Sequence, residues 1–117
     1  MMDFDLPVNI KEIEMAIQTI MVIGAGQLGG GIAQVFAQAG KKVFLNDIKQ
    51  EFIDGRMAFV EKLLDKDISK GKKTEEEKAV IMSNLHATLD PNDAAECDLV
   101  VEAAIENIEA VNALSKK

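Results

Sequence analysis

Apolar positions along the chain alternate between unbroken runs and helical spacings. Ile20 to Ile23 is an apolar run of strand length that ends at Gly24. No polar residue interrupts it, which fits a parallel strand buried on both faces. Leu28, Ile32, Val35, Phe36 and Ala39 then recur at i, i+4, i+7, i+8 and i+11. That spacing predicts one apolar helical face, and Gly40 supplies the left-handed stop. Lys42 to Asn46 reads as a second strand, closed by Asp47.

From about Gln50 to Ser69 the pattern is helical again, with Ile53, Met57, Val60, Leu64 and Ile68 along one side. Gly71 ends that helix in a lysine-rich turn. Thr74 followed by Glu77 forms a capping box and predicts a further helix to about Asn84. Leu85 to Leu89 reads as a minor strand, and Asp90 with Pro91 as the cap and first residue of a short helical turn. Asp98 to Ala104 is a third main strand, and residues 106–117 return to a helix. At the other end, Ile10, Ile13, Ile17 and Ile20 recur at helical spacing. Residues 1–19 are therefore read as a leader with a short amphipathic helix, and residues 20–117 as the domain.

This order is the alternation of an α/β protein with a doubly wound parallel sheet, carrying a helical hairpin after its second strand. Composition supports one globular domain. The chain has 117 residues, of which 48% are hydrophobic and 28% charged, within the usual range for folded domains. Its formal charge of -7 argues against a general nucleic-acid binder. No apolar run approaches the ~20 residues of a membrane span. The acidic start lacks the layout of a secretion signal. Cys97 is the only cysteine, which excludes an internal disulfide and suggests a reducing, cytoplasmic setting.

The chemistry concentrates in one turn. Gly24-Ala25-Gly26-Gln27-Leu28-Gly29 is a G-x-G-x-x-G between a predicted strand and a predicted helix, the context in which such a motif binds a dinucleotide. Gly24 permits the tight turn, Gly26 lets the backbone approach a pyrophosphate, and Gly29 allows close helix–strand packing. The helix start adds N–H groups and partial positive charge. Asp47 lies 23 residues after Gly24, at the end of the second strand. A carboxylate there accepts from the adenosine ribose hydroxyls and repels a 2′-phosphate, so NAD(H) is expected over NADP. The alternative is that these glycines only permit tight packing, with Asp47 a solvated strand end.

IMVIGAGQLGGGIAQVFAQAG, VFLNDI, KGKKTEEEKAVIMSNLHATLD and AAECDLVVEAAIEN together resemble the 3-hydroxyacyl-CoA dehydrogenase family, and within it the bacterial 3-hydroxybutyryl-CoA dehydrogenases. The resemblance covers roughly residues 20–110 and implies a Rossmann-type NAD-binding domain. It also implies NAD-dependent interconversion of 3-hydroxyacyl-CoA and 3-oxoacyl-CoA. By position it places Gly24, Gly26 and Gly29 at the pyrophosphate, Gln27 and Leu28 as backbone donors, and Asp47 at the ribose. Ala104 and Glu106 match the segment lining the nicotinamide side. A lysine usually follows Glu106 by five residues, but Val111 stands there.

The family's catalytic His and its orienting Glu lie beyond the first four strands, as does a C-terminal helical domain. The expectation is therefore the N-terminal part of a dehydrogenase, with no catalytic residue of its own. His86, the only histidine, falls at the start of a probable strand, the wrong end for a ligand site. Cys97 has no partner for metal or nucleophilic chemistry, and Glu102 is unassigned. Among Lys66, Lys70, Lys72 and Lys73, Lys70 is the candidate for the phosphates of a CoA tail, since the family's helical hairpin neighbours the CoA entrance. The other reading of that cluster is a solvated turn. The last strand, apolar and at an edge, invites self-association or pairing with another chain. Two further readings stay open: a stand-alone dinucleotide-binding module, and half of an enzyme completed by a separate chain.

Overall fold

The computed structural model describes residues 10–103. Ala104, Glu106, Val111 and the helix expected over 106–117 lie outside the described residues, as do residues 1–9. Helix α1 (Ile10–Ala16) precedes strand β1 (Thr19–Ile23) and helix α2 (Gln27–Gln38). Strand β2 (Lys42–Asn46), helix α3 (Gln50–Ser69) and helix α4 (Glu75–Ser83) follow, then strand β3 (Leu85–Thr88). A short 3-10 helix (Pro91–Glu96) leads to strand β4 (Leu99–Glu102). Ile20, assigned by spacing to the leader's helical stripe as well as to the strand, belongs to β1.

The punctuation residues act as their chemistry requires. Gly40 and Gly71 adopt φ of 88° and 74°, the left-handed region that favours glycine. The Thr74 hydroxyl accepts from Glu77 N–H, and the Glu77 carboxylate accepts from Thr74 N–H. Both halves of the capping box are thus formed. Asp90 caps the 3-10 helix by accepting from Asn92 N–H, with Pro91 at its start. Lys78 ties α4 back to α3 through Asp65 at 2.7 Å and Glu61 at 3.3 Å.

All strand pairs are parallel, in the order β3-β2-β1-β4. Chain order therefore reverses between β1 and β4, the switch point where doubly wound sheets bind ligands. Ile20, Met21 and Val22 of the central strand are fully buried, as its uninterrupted apolar run predicts. On one face Ile20, Val22, Val43, Leu45 and Leu85 join Ala33 and Ala37 of α2. Ile53, Val60 and Leu64 of α3 and Ile81 of α4 complete that core. Met21, Phe44, His86 and Val100 align in register on the other face.

The spacing of α2 marks an apolar face, and the structure adds which of its residues the sheet accepts. Its buried residues are Gly29, Gly30, Ala33 and Ala37, not the larger stripe. Leu28 and Val35 are 52% and 62% exposed. Small residues win because the helix must come close to β1 just after the tight turn, and bulky side chains would hold the backbones apart. Leu28 and Val35 are therefore left outside, while Ile32 and Phe36 stay half-buried against the edge of the core.

Asp98 fastens the start of the sheet. Its Oδ2 accepts from Gln18 N–H at 2.8 Å and Thr19 N–H at 3.0 Å, and its own N–H donates to Thr19 O at 2.7 Å. The two accepted bonds hold its carboxyl below the usual range, first through Gln18 and then through Thr19. A depressed folded-state pKa stabilises the fold above the unfolded value of about 3.9, and that contribution is lost as pH falls through the folded value. Asp98→Ala is expected to melt below wild type at pH 7, with the gap closing under about pH 4. A gap constant from pH 7 to pH 2 would show that the carboxylate plays no such role.

Candidate cofactor-binding site

The site forms where β1 and β2 end. Gly24 follows β1 with φ of 107°, a conformation that strains any residue with a Cβ. Its N–H donates to Asn46 O at 2.8 Å, and Ala103 N–H donates to Ile23 O at 2.7 Å. The turn is thus fixed to the strands on both sides. Gly26 is the N-cap of α2 and brings no side-chain cap, so no N-cap side chain stands between the helix start and a ligand anion. Gln27 and Leu28 form the first turn and are exposed, while Gly29 is buried beneath it. A Cβ on Gly29 would lie 1.7 Å from Gly24 O and 3.4 Å from the Ala103 Cβ.

Asp47 belongs to this turn physically as well as by spacing. Its Oδ2 accepts from Ala25 N–H and its Oδ1 from Ile48 N–H, both at 2.7 Å. Each carboxylate oxygen has acceptor capacity beyond one bond, so the half-buried group remains able to take hydroxyl hydrogens. Asn46, buried just before it, donates from Nδ2 to Thr88 O at 3.0 Å. That bond locks the ends of β2 and β3. A carboxylate acceptor, a glycine turn and a positive helix start therefore share one sheet edge, a combination suited to a dinucleotide.

Other candidate groups lie elsewhere. His86 sits two residues below the end of β3, with its ring centroid 5.7 Å from that of Phe44. It packs against a neighbouring strand and is not at the carboxyl edge. Cys97 Sγ donates to Asp93 O at 3.5 Å. Burial first, then the nearby carboxylates of Glu96, Asp98 and Asp93, push its thiol pKa up, which opposes nucleophilic chemistry. Glu102 is exposed at the end of β4. Lys70 caps the far end of α3. That helix begins near Asp47 and has 20 residues, so Lys70 stands about 30 Å along it. Within that turn Lys73 pairs with Asp67 at 3.4 Å. No three metal-ligating side chains cluster among the described residues, and no helix there is long and apolar enough to cross a membrane.

Sequence reasoning missed Arg56, whose Nε donates to Ala25 O at 3.2 Å. A lone arginine on a helix carries no local signal of a contact 31 residues away.

Residues 19–117 match the family described as 3-hydroxyacyl-CoA dehydrogenase, NAD binding domain. A probable 3-hydroxybutyryl-CoA dehydrogenase of Deinococcus radiodurans is 51% identical over 96 residues, covering 82% of this chain and 34% of that protein. The fatty acid oxidation complex subunit alpha of Psychrobacter arcticus is 40% identical over 96 residues, covering 82% of this chain and 13% of that one. Among solved structures, the (S)-3-hydroxybutyryl-CoA dehydrogenase of Ralstonia eutropha superposes with a TM-score of 0.75 at 36% identity. That match covers 86% of this chain and 36% of the other. The chain thus spans about a third or less of the length of these relatives. A Rossmann-type sheet, a glycine turn closed by Asp47 and a family match over most of the chain agree: this chain belongs to the NAD-binding domain family of the 3-hydroxyacyl-CoA dehydrogenases.

Proposed function

We propose that this chain is the cofactor-binding part of an NAD-dependent 3-hydroxyacyl-CoA dehydrogenase acting on short acyl chains such as 3-hydroxybutyryl-CoA. The observation that carries this reading is the Asp47 carboxylate bonded to Ala25 inside the glycine turn. It puts the ribose acceptor and the pyrophosphate cradle in one rigid unit. Gly24, Gly26 and Gly29 make room for the pyrophosphate, Gln27 and Leu28 present the helix start to it, and Asp47 takes the ribose hydroxyls. Ala104 and Glu106 line the nicotinamide side in this reading. Lys70 meets the CoA phosphates as an approaching point charge. Bound NAD(H) supplies the hydride exchanged at the C3 carbon of the acyl group.

Proton transfer at the C3 oxygen needs a general acid/base within hydrogen-bond reach. Among the described residues no histidine stands at the carboxyl edge, and His86 packs against Phe44 in a tilted arrangement. In this reading the acid/base is a group other than His86, and a second chain completing the cleft is the alternative source. Among the described residues β4 is an outer strand of the sheet, and such an edge is where another strand or chain can pair. A cytoplasmic setting suits the single free thiol.

The test is paired. Titration of this chain with NADH should give saturable fluorescence enhancement, while acetoacetyl-CoA and NADH together give no turnover. Absence of saturable binding would sink the cofactor reading. Turnover by this chain alone would show that it carries its own acid/base.

A further inference from the structure

We propose that Arg56 is a positioning residue of this site, holding the Ala25 carbonyl so that the Ala25 N–H stays on Asp47. The proposal rests on the dinucleotide reading above, but its geometry stands apart from any ligand. Ala25 is buried between two glycines, Gly24 and Gly26, the most permissive backbone surroundings a residue can have. Its conformation therefore needs ties from outside. It has two: its N–H donates to Asp47 Oδ2 at 2.7 Å, and its O accepts from Arg56 Nε at 3.2 Å. Both ties come from the β2–α3 segment, so one element grips both ends of the residue.

Gly30 is what lets Arg56 arrive. A Cβ there would meet the Arg56 Cδ at 2.2 Å, Cγ at 2.6 Å and Nε at 2.9 Å. The fourth glycine of the run is thus small for the arginine stem, a role separate from the three glycines of the fingerprint. The guanidinium carbon lies 4.9 Å from the Phe59 ring centroid, which fixes its plane. Arg56 makes no ion pair among the described residues. Its hydrogen bond to a backbone carbonyl is therefore not a by-product of carboxylate pairing.

Two near-isosteric replacements separate donor, charge and packing. Arg56→Gln places an amide N–H where Nε stood and removes the charge, whereas Arg56→Met keeps the stem and removes the donor. Amide hydrogen exchange at Ala25 reads the clamp without cofactor, and NADH titration reads its consequence. Arg56→Met should lose protection at the Ala25 amide and weaken NADH about tenfold. Arg56→Gln should restore most of both. Gly30→Ala, whose methyl must displace the stem, should weaken NADH similarly on its own and add nothing to Arg56→Ala. Unchanged Ala25 protection in Arg56→Met overturns the proposal, as does equal loss in Arg56→Met and Arg56→Gln, which would assign the effect to charge. If wild type fails to bind NADH while Arg56→Met still loses protection, the clamp stands and the cofactor reading falls.

Discussion

Gly29→Ala is expected to lower the melting temperature by roughly 10–20 °C, a loss of about 3 kcal/mol for a domain this size. The added methyl would lie 1.7 Å from Gly24 O and 2.9 Å from Gly24 C. These are backbone atoms with no rotamer to escape into. Gly24 cannot yield cheaply either, because its φ is 107° and its N–H is bonded to Asn46 O. Behind it the Ala103 Cβ would be at 3.4 Å, so α2 must slide outward along its whole buried side. The helix start then withdraws from the pyrophosphate position, and NADH binding should fall below detection. Gly31→Ala is the control. Nothing lies within 4 Å of a Cβ there, and alanine is favoured over glycine in a helix by roughly 0.5–1 kcal/mol. Circular-dichroism melts of both variants check this. A Gly29→Ala protein that melts within 2 °C of wild type and still saturates with NADH would refute the packing argument.

Asp47→Ala should weaken NADH about a hundredfold. Two hydroxyl bonds to a charged acceptor contribute roughly 3 kcal/mol together, and 1.4 kcal/mol is a factor of ten. The change also frees the Ala25 and Ile48 N–H groups that Asp47 now accepts, so the turn loosens as the ribose contact is lost. NADPH separates the two effects. Loss of the negative charge relieves repulsion of the 2′-phosphate, so NADPH should lose much less affinity than NADH. Fluorescence titrations with both cofactors give the ratio. Equal losses would mean that the turn collapsed and that Asp47 exerts no charge selection, and unchanged NADH affinity would remove Asp47 from the site.

Much of this site is legible along the chain because its determinants are local. Positive φ at Gly24 and the cap at Thr74 depend on neighbours a few residues away. The bounds of α3, Gln50 to Ser69, follow from an apolar period and a glycine stop. Asp47 is identified by its distance from Gly24, since strand, helix and strand lengths fix where the second strand must end. The spacing of α2 says less, because periodicity reports an apolar face and not how deeply each residue on it is buried. Within that stripe Ile32 and Phe36 pack half-buried against the core and Leu28 and Val35 are exposed, while the fully buried positions are Gly29, Gly30, Ala33 and Ala37.

The order of elements, the glycine turn with its acidic partner, and the lack of any histidine but His86 can all be read along the chain. These are matters of composition, dihedral preference and short-range spacing. How near α2 lies to Gly24, where His86 rests, and that Arg56 reaches Ala25 emerge only in the folded chain. Each of those depends on atoms brought together by parallel strand pairing and helix packing, across separations that no local pattern records.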